Sequence, residues 1–456
     1  MTEQVVDLKF KPQEQQNKIK ILTISDHPLS PSGVGIQTKY FIVELLKTGK
    51  FEFVSLGGAI KHENYEPIRV QEFGDNWTIY PVDGYGGPDV LRSTLRTQRP
   101  DIVWFMTDPR FFPWLWQMEN EIRALCPMVY YHVWDNFPYP TFNKIWYDST
   151  DVIATISKVT SDIVQTVSPD VEEHYVPHSS PQELYLKAPQ DKIDQFRKEQ
   201  LQMDSEHFLV FWNSRNARRK QSGSLIFWFN DFLKELKKKH KGAKATLMMH
   251  TEPKDPNGQD LFAIISSLGL DKTKEVLLSN QKIDPTHLCM LYNSADTTMS
   301  ISDAEGFGLS TFESLMCETP IIVTMTGGLQ EQVTVMESVS EEKMLKRNKK
   351  KNGACVYEHG IGIEPSSKAI IGSQEVPFIY EDRNDGQDVV DSLMKMYEFG
   401  KEKRDKLGKA GREHVLKNYN FENFAKKWEE IMTNTYKKHG SWDTRKNYKA
   451  WELRAI

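Results

Sequence analysis

Short apolar, β-branched runs alternate with longer amphipathic segments along most of this chain, and this alternation restricts the fold more than any other feature. The first run is KIKILTIS at residues 18–25, and similar runs follow at 51–57, 77–82 and 101–106. Such runs separated by helical segments are typical of β–α units, whose strands pair in parallel. The sequence therefore predicts an α/β protein built on parallel sheets.

The alternation occurs in two series, and 456 residues are enough for two domains, because single hydrophobic cores stop growing at roughly 250 to 300 residues. We predict two Rossmann-like, doubly wound domains that face each other across a cleft, over residues 1–180 and 193–385. The stretch between them, SSPQELYLKAPQDK, has turn residues and no periodicity, which is typical of a linker. Residues 386–456 are predicted to form C-terminal helices that cross back to the first domain.

One part of the second series departs from the alternation. Residues 337–385 contain a Lys-rich run, KMLKRNKKKN, and then a stretch dense in Gly and Pro without helical spacing. Excursions of this length in compact domains are usually functional or disordered. We therefore interpret 337–385 as an insertion in the second domain and as a candidate for contacts with a substrate.

Composition argues against several classes of protein. A net charge of −5 is unlike that of a generally basic nucleic-acid coat. The four cysteines include no Cys-x-x-Cys pair, so neither a zinc site nor a disulfide framework is predicted. The chain begins without an apolar signal region and has no run of ~18 apolar residues. We expect a cytoplasmic protein with reduced thiols and no stable membrane insertion.

Two glycine-spaced turns follow predicted strands, where open parallel sheets bind ligands. In the first domain, the turn DHPLSPSGVG carries Gly33 and Gly35, which would let the backbone approach a ligand closely. The helix predicted after it offers free N–H groups and the positive end of its dipole. A plain tight turn is an equally good interpretation of this loop taken alone.

The second turn, EGFGLSTFE at residues 305–313, has a glutamate on each side of two glycines. Gly306 and Gly308 would expose backbone N–H groups at a helix start, where a phosphate is favoured. Glu305 and Glu313 then make more sense facing hydroxyl groups than facing that phosphate. The alternative is that Glu313 complements the helix dipole while Glu305 is solvated.

A pair of cations is predicted at the matching edge of the second domain. Arg215 and Lys220 follow the predicted strand at 208–214 in the segment NSRNARRK. Such cations bind and neutralise a diphosphate. Two carboxylates for hydroxyl groups, two cations for phosphates and a parallel sheet edge together describe a pocket for a nucleotide sugar.

The segment from Glu305 to Glu331 resembles the E-x7-E region of family 4 glycosyltransferases, which have the GT-B fold. The order of features is similar over roughly residues 18–335 and the C-terminal helices, and the sequence is also similar in style to phage-encoded glycosyltransferases. The resemblance implies a hexosyl- or pentosyltransferase that retains the anomeric configuration. It implies a nucleotide diphosphate sugar as the donor, above all a UDP-sugar, with no metal and no other cofactor.

The resemblance also implies roles for individual residues. Glu313 would hold the ribose hydroxyls, Glu305 the hydroxyls of the donor sugar, and the backbone of 307–309 the sugar and phosphate. His132 ends a first-domain strand, where this family often has a histidine near the donor sugar; a structural histidine is the alternative. The implied catalytic residues are His132, Glu305, Arg215 and Lys220, and the implied donor-binding residues are Gly33, Gly35, Arg215, Lys220, Gly306, Phe307, Gly308, Leu309 and Glu313.

The acceptor is the least constrained part of this interpretation. A hydroxyl acceptor follows from the resemblance, and the Lys-rich run favours DNA with hydroxymethylated bases, since phosphate contacts are commonly built from Lys and Arg. Glycan, lipid-linked and protein acceptors are open alternatives. Two other classes stay open as well: a GT-B epimerase that turns over a nucleotide sugar without an acceptor, and a non-enzymatic module that binds one.

Overall fold

The first series of strands forms one sheet. The structure is a computed structural model that describes residues 18–336, 353–446 and 448–449. Within residues 18–180 the strands are β1 (Ile19–Asp26), β2 (Phe51–Gly58), β3 (Ile68–Arg69), β4 (Trp77–Pro81), β5 (Ile102–Met106), β6 (Met128–His132), β7 (Val152–Thr155) and β8 (Glu172–Tyr175). They lie in the order β3-β4-β2-β1-β5-β6-β7-β8, and neighbours are parallel except β3 with β4.

The second series forms a sheet of the same kind. Within the described part of residues 208–363 the strands are β9 (Phe208–Asn213), β10 (Ala245–His250), β11 (Val276–Ser279), β12 (Thr297–Ser300), β13 (Ile321–Thr324), β14 (Ala354–Tyr357) and β15 (Gly360–Ile363). Their order is β11-β10-β9-β12-β13-β15-β14, with only β14 antiparallel to its neighbour. The predicted fold class, two parallel α/β sheets with helices, is confirmed.

Helices connect the strands and cover both sheets. In the first half of the chain they are α1 (Gly33–Lys47), α2 (Pro88–Gln98), α3 (Pro113–Gln117), α4 (Glu119–Arg123), α5 (Lys144–Asp148), α6 (Lys158–Val167) and α7 (Gln190–Glu199). They continue with α8 (Ser222–Lys239), α9 (Leu261–Leu268), α10 (Pro285–Ser294), α11 (Leu309–Met316) and α12 (Leu329–Val333). The C-terminal helices of the described chain are α13 (Gly386–Glu398), α14 (Gly400–Asn418) and α15 (Phe421–His439).

The apolar runs become central strands because both faces of each sheet are covered. Every residue of β5 and β6 is buried, as expected for parallel strands between two layers of helices. Phe41 of α1 stacks on Trp104 of β5, with ring centroids 4.4 Å apart. The Phe41 ring also contacts Trp428 of α15, at 4.8 Å. The last helix therefore completes the core of the first domain.

Part of the predicted insertion at 337–385 belongs to the second sheet, since β14 and β15 lie within it. Further along, the described residues of this stretch form a separate hairpin of β16 (Ser367–Ile371) and β17 (Ile379–Arg383). This hairpin reaches the first domain, where the Tyr380 N–H donates to the Phe137 carbonyl at 2.8 Å. The Lys-rich run at 343–352 lies outside the described residues.

The two strand orders create one crevice in each sheet. Connections run in opposite directions from β1 and β5, and again from β9 and β12. Ligands bind outside the carboxyl ends of the strands at such switch points. The two crevices face each other, because a Cβ placed on Gly33, after β1, would lie 3.0 Å from Cδ1 of Leu309, after β12.

Candidate active site

Two turns line the cleft, and each follows a strand at a switch point. We call residues 27–35, which follow β1 and include the first residues of α1, the first-domain turn, and residues 303–309, which follow β12 and end at the first residue of α11, the second-domain turn. Each turn contains two glycines separated by one residue. The chemistry of the site follows from how these two turns are held.

Main-chain contacts hold the second-domain turn in place. The Gly328 N–H donates to the Glu305 carbonyl at 2.9 Å. A Cβ on Gly327 would lie 2.1 Å from that carbonyl oxygen, and one on Gly328 would lie 2.4 Å from the carbonyl oxygen of Gly306. Only glycine allows this approach of two backbones, so the pair at 327 and 328 fixes the position of Glu305.

The second-domain turn leaves the start of α11 open. Gly308 precedes the helix with φ of +90° and, as a glycine, has no side chain that could accept a hydrogen bond from the first turn. The first intrahelical bond of α11 is donated by the Phe312 N–H, to the Gly308 carbonyl at 3.0 Å. The N–H groups of residues 309–311 therefore have no partner inside the helix, and they and the helix dipole favour an anion.

The side chain of Phe307 does not face the cleft. It is buried in the core, with ring centroids 5.3 Å from His178 and 5.4 Å from Tyr419. Its carbonyl accepts a hydrogen bond from Gln332 at 2.6 Å. Phe307 therefore anchors the second-domain turn, and only its backbone is available to a ligand.

Two cations from the loop after β9 approach Glu305. Lys220 Nζ contacts Glu305 Oε2, and Arg219 Nη1 lies 3.7 Å from the same oxygen. Arg219 also donates to the Ala304 carbonyl at 2.6 Å. Burial and the Arg219 charge lower the pKa of Lys220, while Asp135 opposes this shift. A diphosphate in this position would favour the charged ammonium.

Arg215 and Lys220 have different surroundings, although the sequence predicted that they bind a diphosphate as a pair. Arg215 is largely exposed, with 64% of its side chain accessible, and its Nε lies 2.6 Å from Asp255 Oδ2. A short 3-10 helix at Arg218–Lys220 turns the chain so that Arg219 accompanies Lys220 instead. Sequence reasoning missed Arg219, although the adjacent basic residues of NARRK were the available signal.

Glu313 lies on α11, beyond the open helix start. Its Oε2 accepts a hydrogen bond from the Tyr292 hydroxyl of α10 at 2.7 Å. Burial raises the pKa of Glu313 to about 7, while hydrogen bonds from Tyr292 and Tyr185 act in the opposite direction. The carboxylate is thus held in one place and keeps capacity for further donors, because an ionised carboxylate accepts several hydrogen bonds.

The backbone of the first-domain turn is less available to a ligand than the sequence predicted. Helix α1 begins at Gly33, so both predicted glycines lie in its first turn. The Gly35 N–H donates to the Ser32 hydroxyl at 3.0 Å, and that hydroxyl donates to Asp26 at 2.6 Å. A Cβ on Gly35 would lie 2.4 Å from Ser30 Oγ. Gly33 faces the cleft, whereas Gly35 packs within its own domain.

His132 is fully buried behind the cleft. Its Nε2 lies 2.6 Å from the Tyr147 hydroxyl, and its Nδ1 has no hydrogen-bond partner among the described residues. Burial lowers the pKa of His132 to about 3, so the imidazole is neutral near pH 7. Asp135 also approaches the second-domain turn, since its Oδ2 would lie 3.9 Å from a Cβ on Gly306, behind Ile156 and the Val133 carbonyl at 3.0 Å. Burial raises the pKa of Asp135 to about 6.

Glu331 joins the two domains beside the site. Its Oε1 accepts the Lys158 N–H at 2.7 Å, at the start of α6 in the first domain. Tyr175, also in the first domain, donates to its Oε2 at 3.4 Å. Burial raises the pKa of Glu331 to about 7. A carboxylate of the second domain therefore caps a helix of the first.

The described residues contain no group of three or more His, Cys, Asp or Glu side chains arranged to hold a metal ion. None of their helices combines the length and apolar character needed to cross a membrane.

Comparison with solved structures identifies the architecture. Sucrose-phosphate synthase from Thermosynechococcus elongatus matches with a TM-score of 0.68 over 92% of this chain and 100% of that one, at 15% sequence identity. A glycosyltransferase from Rickettsia africae ESF-5 matches with a TM-score of 0.63 over 92% and 99% of the two chains, at 16% identity. The fold is GT-B.

Other GT-B structures that match were solved with nucleotide sugars. HepE from Anabaena in complex with UDP-glucose has a TM-score of 0.62 over 91% of this chain and 100% of that one, at 14% identity. At identities this low, the similarity establishes the GT-B fold and not the substrate.

Sequence comparison identifies a shorter region. Residues 234–342 match the family model described as Glycosyl transferases group 1. D-inositol 3-phosphate glycosyltransferase from Arthrobacter sp. (strain FB24) is 32% identical over 74 residues, which is 16% of this chain and 17% of that protein. The matched residues include the second-domain turn, Glu305 and Glu313.

Proposed function

We propose that this protein is a retaining glycosyltransferase that transfers a sugar from a nucleotide diphosphate sugar to a hydroxyl acceptor. The observation that carries the proposal is the approach of Lys220 and Arg219 to Glu305, three residues before Gly308 and the open start of α11. Positive groups collected around one carboxylate at a cleft suit a ligand that has both phosphates and hydroxyls. A nucleotide sugar has both.

The proposed binding mode follows the order of groups along the second domain. Glu313, held by Tyr292, accepts hydrogen bonds from the ribose hydroxyls. The diphosphate lies against the N–H groups of residues 309–311 and the Lys220 ammonium, and Glu305 then faces the sugar hydroxyls. UDP-sugars are the preferred candidates, since HepE from Anabaena was solved with UDP-glucose.

Charge stabilisation is the main contribution of the protein to the proposed reaction. When the bond from the anomeric carbon to the diphosphate oxygen breaks, negative charge grows on that oxygen. Lys220, Arg219 and the helix start are already in place to stabilise it, which is effective in a cleft of low dielectric. Asp135 approaches from the first domain and faces the acceptor. No step in this proposal requires a metal ion, and none uses Arg215.

His132 acts through its neighbours in this proposal. Its neutral imidazole is held by Tyr147, and it supports the end of β6 just before Asp135. A role as a proton donor near pH 7 is disfavoured by a pKa of about 3. The sequence-based hypothesis that His132 contacts the donor sugar would require a rearrangement that exposes Nδ1.

The test uses two glutamate variants with a matched control. Glu313→Ala is expected to weaken nucleotide binding, because it removes the acceptor for ribose hydroxyls. Glu305→Ala is expected to reduce transfer more than nucleotide affinity. Glu252→Ala, an exposed second-domain glutamate, is the control and should change neither. Calorimetry with nucleoside diphosphates and donor turnover by mass spectrometry measure both quantities. If all three variants behave alike, the assignment is wrong.

An epimerase is the second enzymatic candidate, and turnover without an acceptor separates the two. A transferase should hydrolyse the donor slowly when no acceptor is present. When the correct acceptor is added, donor turnover should rise and transfer should replace hydrolysis. An epimerase should convert the donor at its full rate with no acceptor present. A protein that binds the nucleotide sugar and does neither would be a binding module.

We propose DNA with hydroxymethylated bases as the first acceptor to test, with glycan, lipid-linked and protein acceptors alongside it. The reason is the basic run at 343–352, which lies outside the described residues. Charge reversal at Lys349, Lys350 and Lys351 should reduce activity on DNA in a salt-dependent way and leave a small acceptor unaffected. Unchanged activity on DNA would remove that run from the acceptor site.

A further inference from the structure

Two cysteines lie next to each other behind Glu313. Cys289 Sγ on α10 and Cys317 Sγ at the end of α11 are 3.7 Å apart. Cys289 is partly exposed, whereas Cys317 is fully buried. We propose that Cys289 and Cys317 form a reversible disulfide upon oxidation by a peroxide, and that this bond weakens nucleotide binding by shifting α10 against α11.

The surroundings give the two thiols different roles. A hydrogen bond from the Cys317 thiol lowers the pKa of Cys289 to about 7, and the Asn293 amide also donates to its sulfur, at 3.5 Å. Burial raises the pKa of Cys317. Since the thiolate is the nucleophile and exposure gives access to the oxidant, Cys289 reacts first and Cys317 resolves.

The proposed oxidation consumes one molecule of hydrogen peroxide for each disulfide. The Cys289 thiolate attacks one peroxide oxygen, the O–O bond breaks, and Cys289 becomes a sulfenic acid while hydroxide leaves and takes up a proton. Cys317 sulfur then attacks Cys289 sulfur, the S–O bond breaks, and the thiol proton leaves with the departing oxygen as water. Two thiols lose two electrons and the peroxide is reduced to two waters. A thiol reductant reverses the bond by exchange.

The bond would act on Glu313 through a short path. Cys317 follows Glu313 by one helical turn on α11, and Cys289 precedes Tyr292 by nearly one turn on α10. The Tyr292 hydroxyl holds Glu313 Oε2 at 2.7 Å. Closing the sulfurs from 3.7 Å to about 2.05 Å moves the two helix surfaces that carry this hydrogen bond. The proposed ribose contact at Glu313 is therefore displaced.

The experiment compares four full-length proteins: wild type, Cys289→Ser, Cys317→Ser and Cys355→Ser. Cys355 is the control because it is also partly exposed, on β14. Each protein is treated with hydrogen peroxide, the remaining thiols are alkylated, and peptides are mapped without reduction. Wild type and Cys355→Ser should lose two hydrogens in a crosslink between 289 and 317, and Cys317→Ser should trap a sulfenic acid at 289. Cys289→Ser should show neither product.

Two further readouts follow the consequence of the bond. Hydrogen exchange should slow across α10 and the end of α11 in oxidised wild type, and UDP affinity should fall about tenfold, the loss expected for one misplaced hydrogen bond to a charged group. Dithiothreitol should restore both. A wild type that forms no crosslink, or whose crosslink leaves exchange and affinity unchanged, overturns the proposal. The crosslink and exchange measurements need no donor, so they decide the redox site even if the proposed transferase activity fails.

Discussion

Two turns with the same spacing of glycines face each other across the cleft, and they differ in what happens to the helix that follows. At the first-domain turn, the Ser32 hydroxyl caps α1 by accepting the Gly35 N–H. At the second-domain turn, Gly308 precedes α11 and offers no side-chain acceptor. The first helix start is satisfied by its own chain, and the second is open to a ligand.

The charges around the two turns also differ, and they too favour an anion at the second-domain turn only. Ser32 binds the carboxylate of Asp26, so the first-domain turn faces a negative group. The second-domain turn is approached by Lys220 and Arg219. The spacing of the glycines therefore indicates only that the backbone allows close contact with another group. The residue before the helix and the neighbouring charges determine whether that group can be a phosphate.

The strongest test of this comparison removes the half-buried cation at the second-domain turn. Lys220→Met should reduce kcat/KM for the donor by about 100- to 1,000-fold, the usual cost of losing one group that stabilises developing charge. Arg215→Met is the matched control, because Arg215 forms an exposed ion pair with Asp255. It should change kcat/KM by less than about threefold. Equal losses in both variants would support the sequence-based prediction that Arg215 and Lys220 bind the diphosphate together.

Substitution of Gly308 should have the next largest effect. A Cβ there would lie 2.5 Å from Leu329 Cδ2, at a backbone φ of +90°. Gly308→Ala should lower the free energy of unfolding by about 2 to 4 kcal/mol, from backbone strain and overpacking together. Gly49→Ala, at the end of α1, is the control, since its φ is +72° and nothing lies within 4 Å. It should cost only the strain, about 1 to 2 kcal/mol. Urea denaturation compares them.

Glu331 provides a third kind of helix start, capped from across the cleft, and it predicts a pH dependence. Its pKa rises from 4.5 to about 7 in the folded protein because it is buried. The folded state therefore binds more protons between these values, and the stability contributed by Glu331 is present below pH 4.5 and lost as the pH rises through about 7.

Glu331→Gln should remove that component of the pH dependence. Between pH 4.5 and 7, the free energy of unfolding of wild type should fall by about 1 to 3 kcal/mol more than that of the variant. Glu313 and Asp135 titrate in the same direction in both proteins, so the difference between the two curves isolates Glu331. Parallel curves would mean that the carboxylate is not buried between the domains.

The smallest expected effect is at the capped turn. Ser32→Ala should lower the free energy of unfolding by about 1 kcal/mol, the typical value of a helix N-cap. Nucleotide affinity should stay within about twofold, because the lost hydroxyl serves α1 and not the donor. A larger fall in affinity than in stability would show that the first-domain turn also binds the nucleotide.

Most of the fold could be predicted because buried parallel strands appear as continuous apolar runs. The runs at 18–25 and 101–106 became β1 and β5 within a residue or two. Strand β15 was missed because GIGI at 360–363 looked like a loop. Its glycine is needed by the sheet, since a Cβ on Gly360 would lie 1.9 Å from the Ile321 carbonyl oxygen. Strand β3 has two exposed residues and gave no apolar signal.

The candidate site was harder to predict, because its contacts join distant parts of the chain. Lys220 and Glu305 meet although 85 positions separate them, and only their placement after neighbouring strands hinted at it. The choice between Arg215 and Arg219 depends on a single 3-10 turn. The contact of Glu331 with α6 depends on how the two domains meet, and no local pattern encodes that.

The main-chain contact between the second-domain turn and Gly327–Gly328 has a consequence for how this protein can diversify. Because the contact uses only the backbone of residue 305, a change of its side chain is expected to leave the turn in place. A side chain at 327 or 328 would instead collide with the carbonyl oxygens of Glu305 and Gly306. We therefore expect relatives of this protein to tolerate variation at 305 and not at the glycine pair.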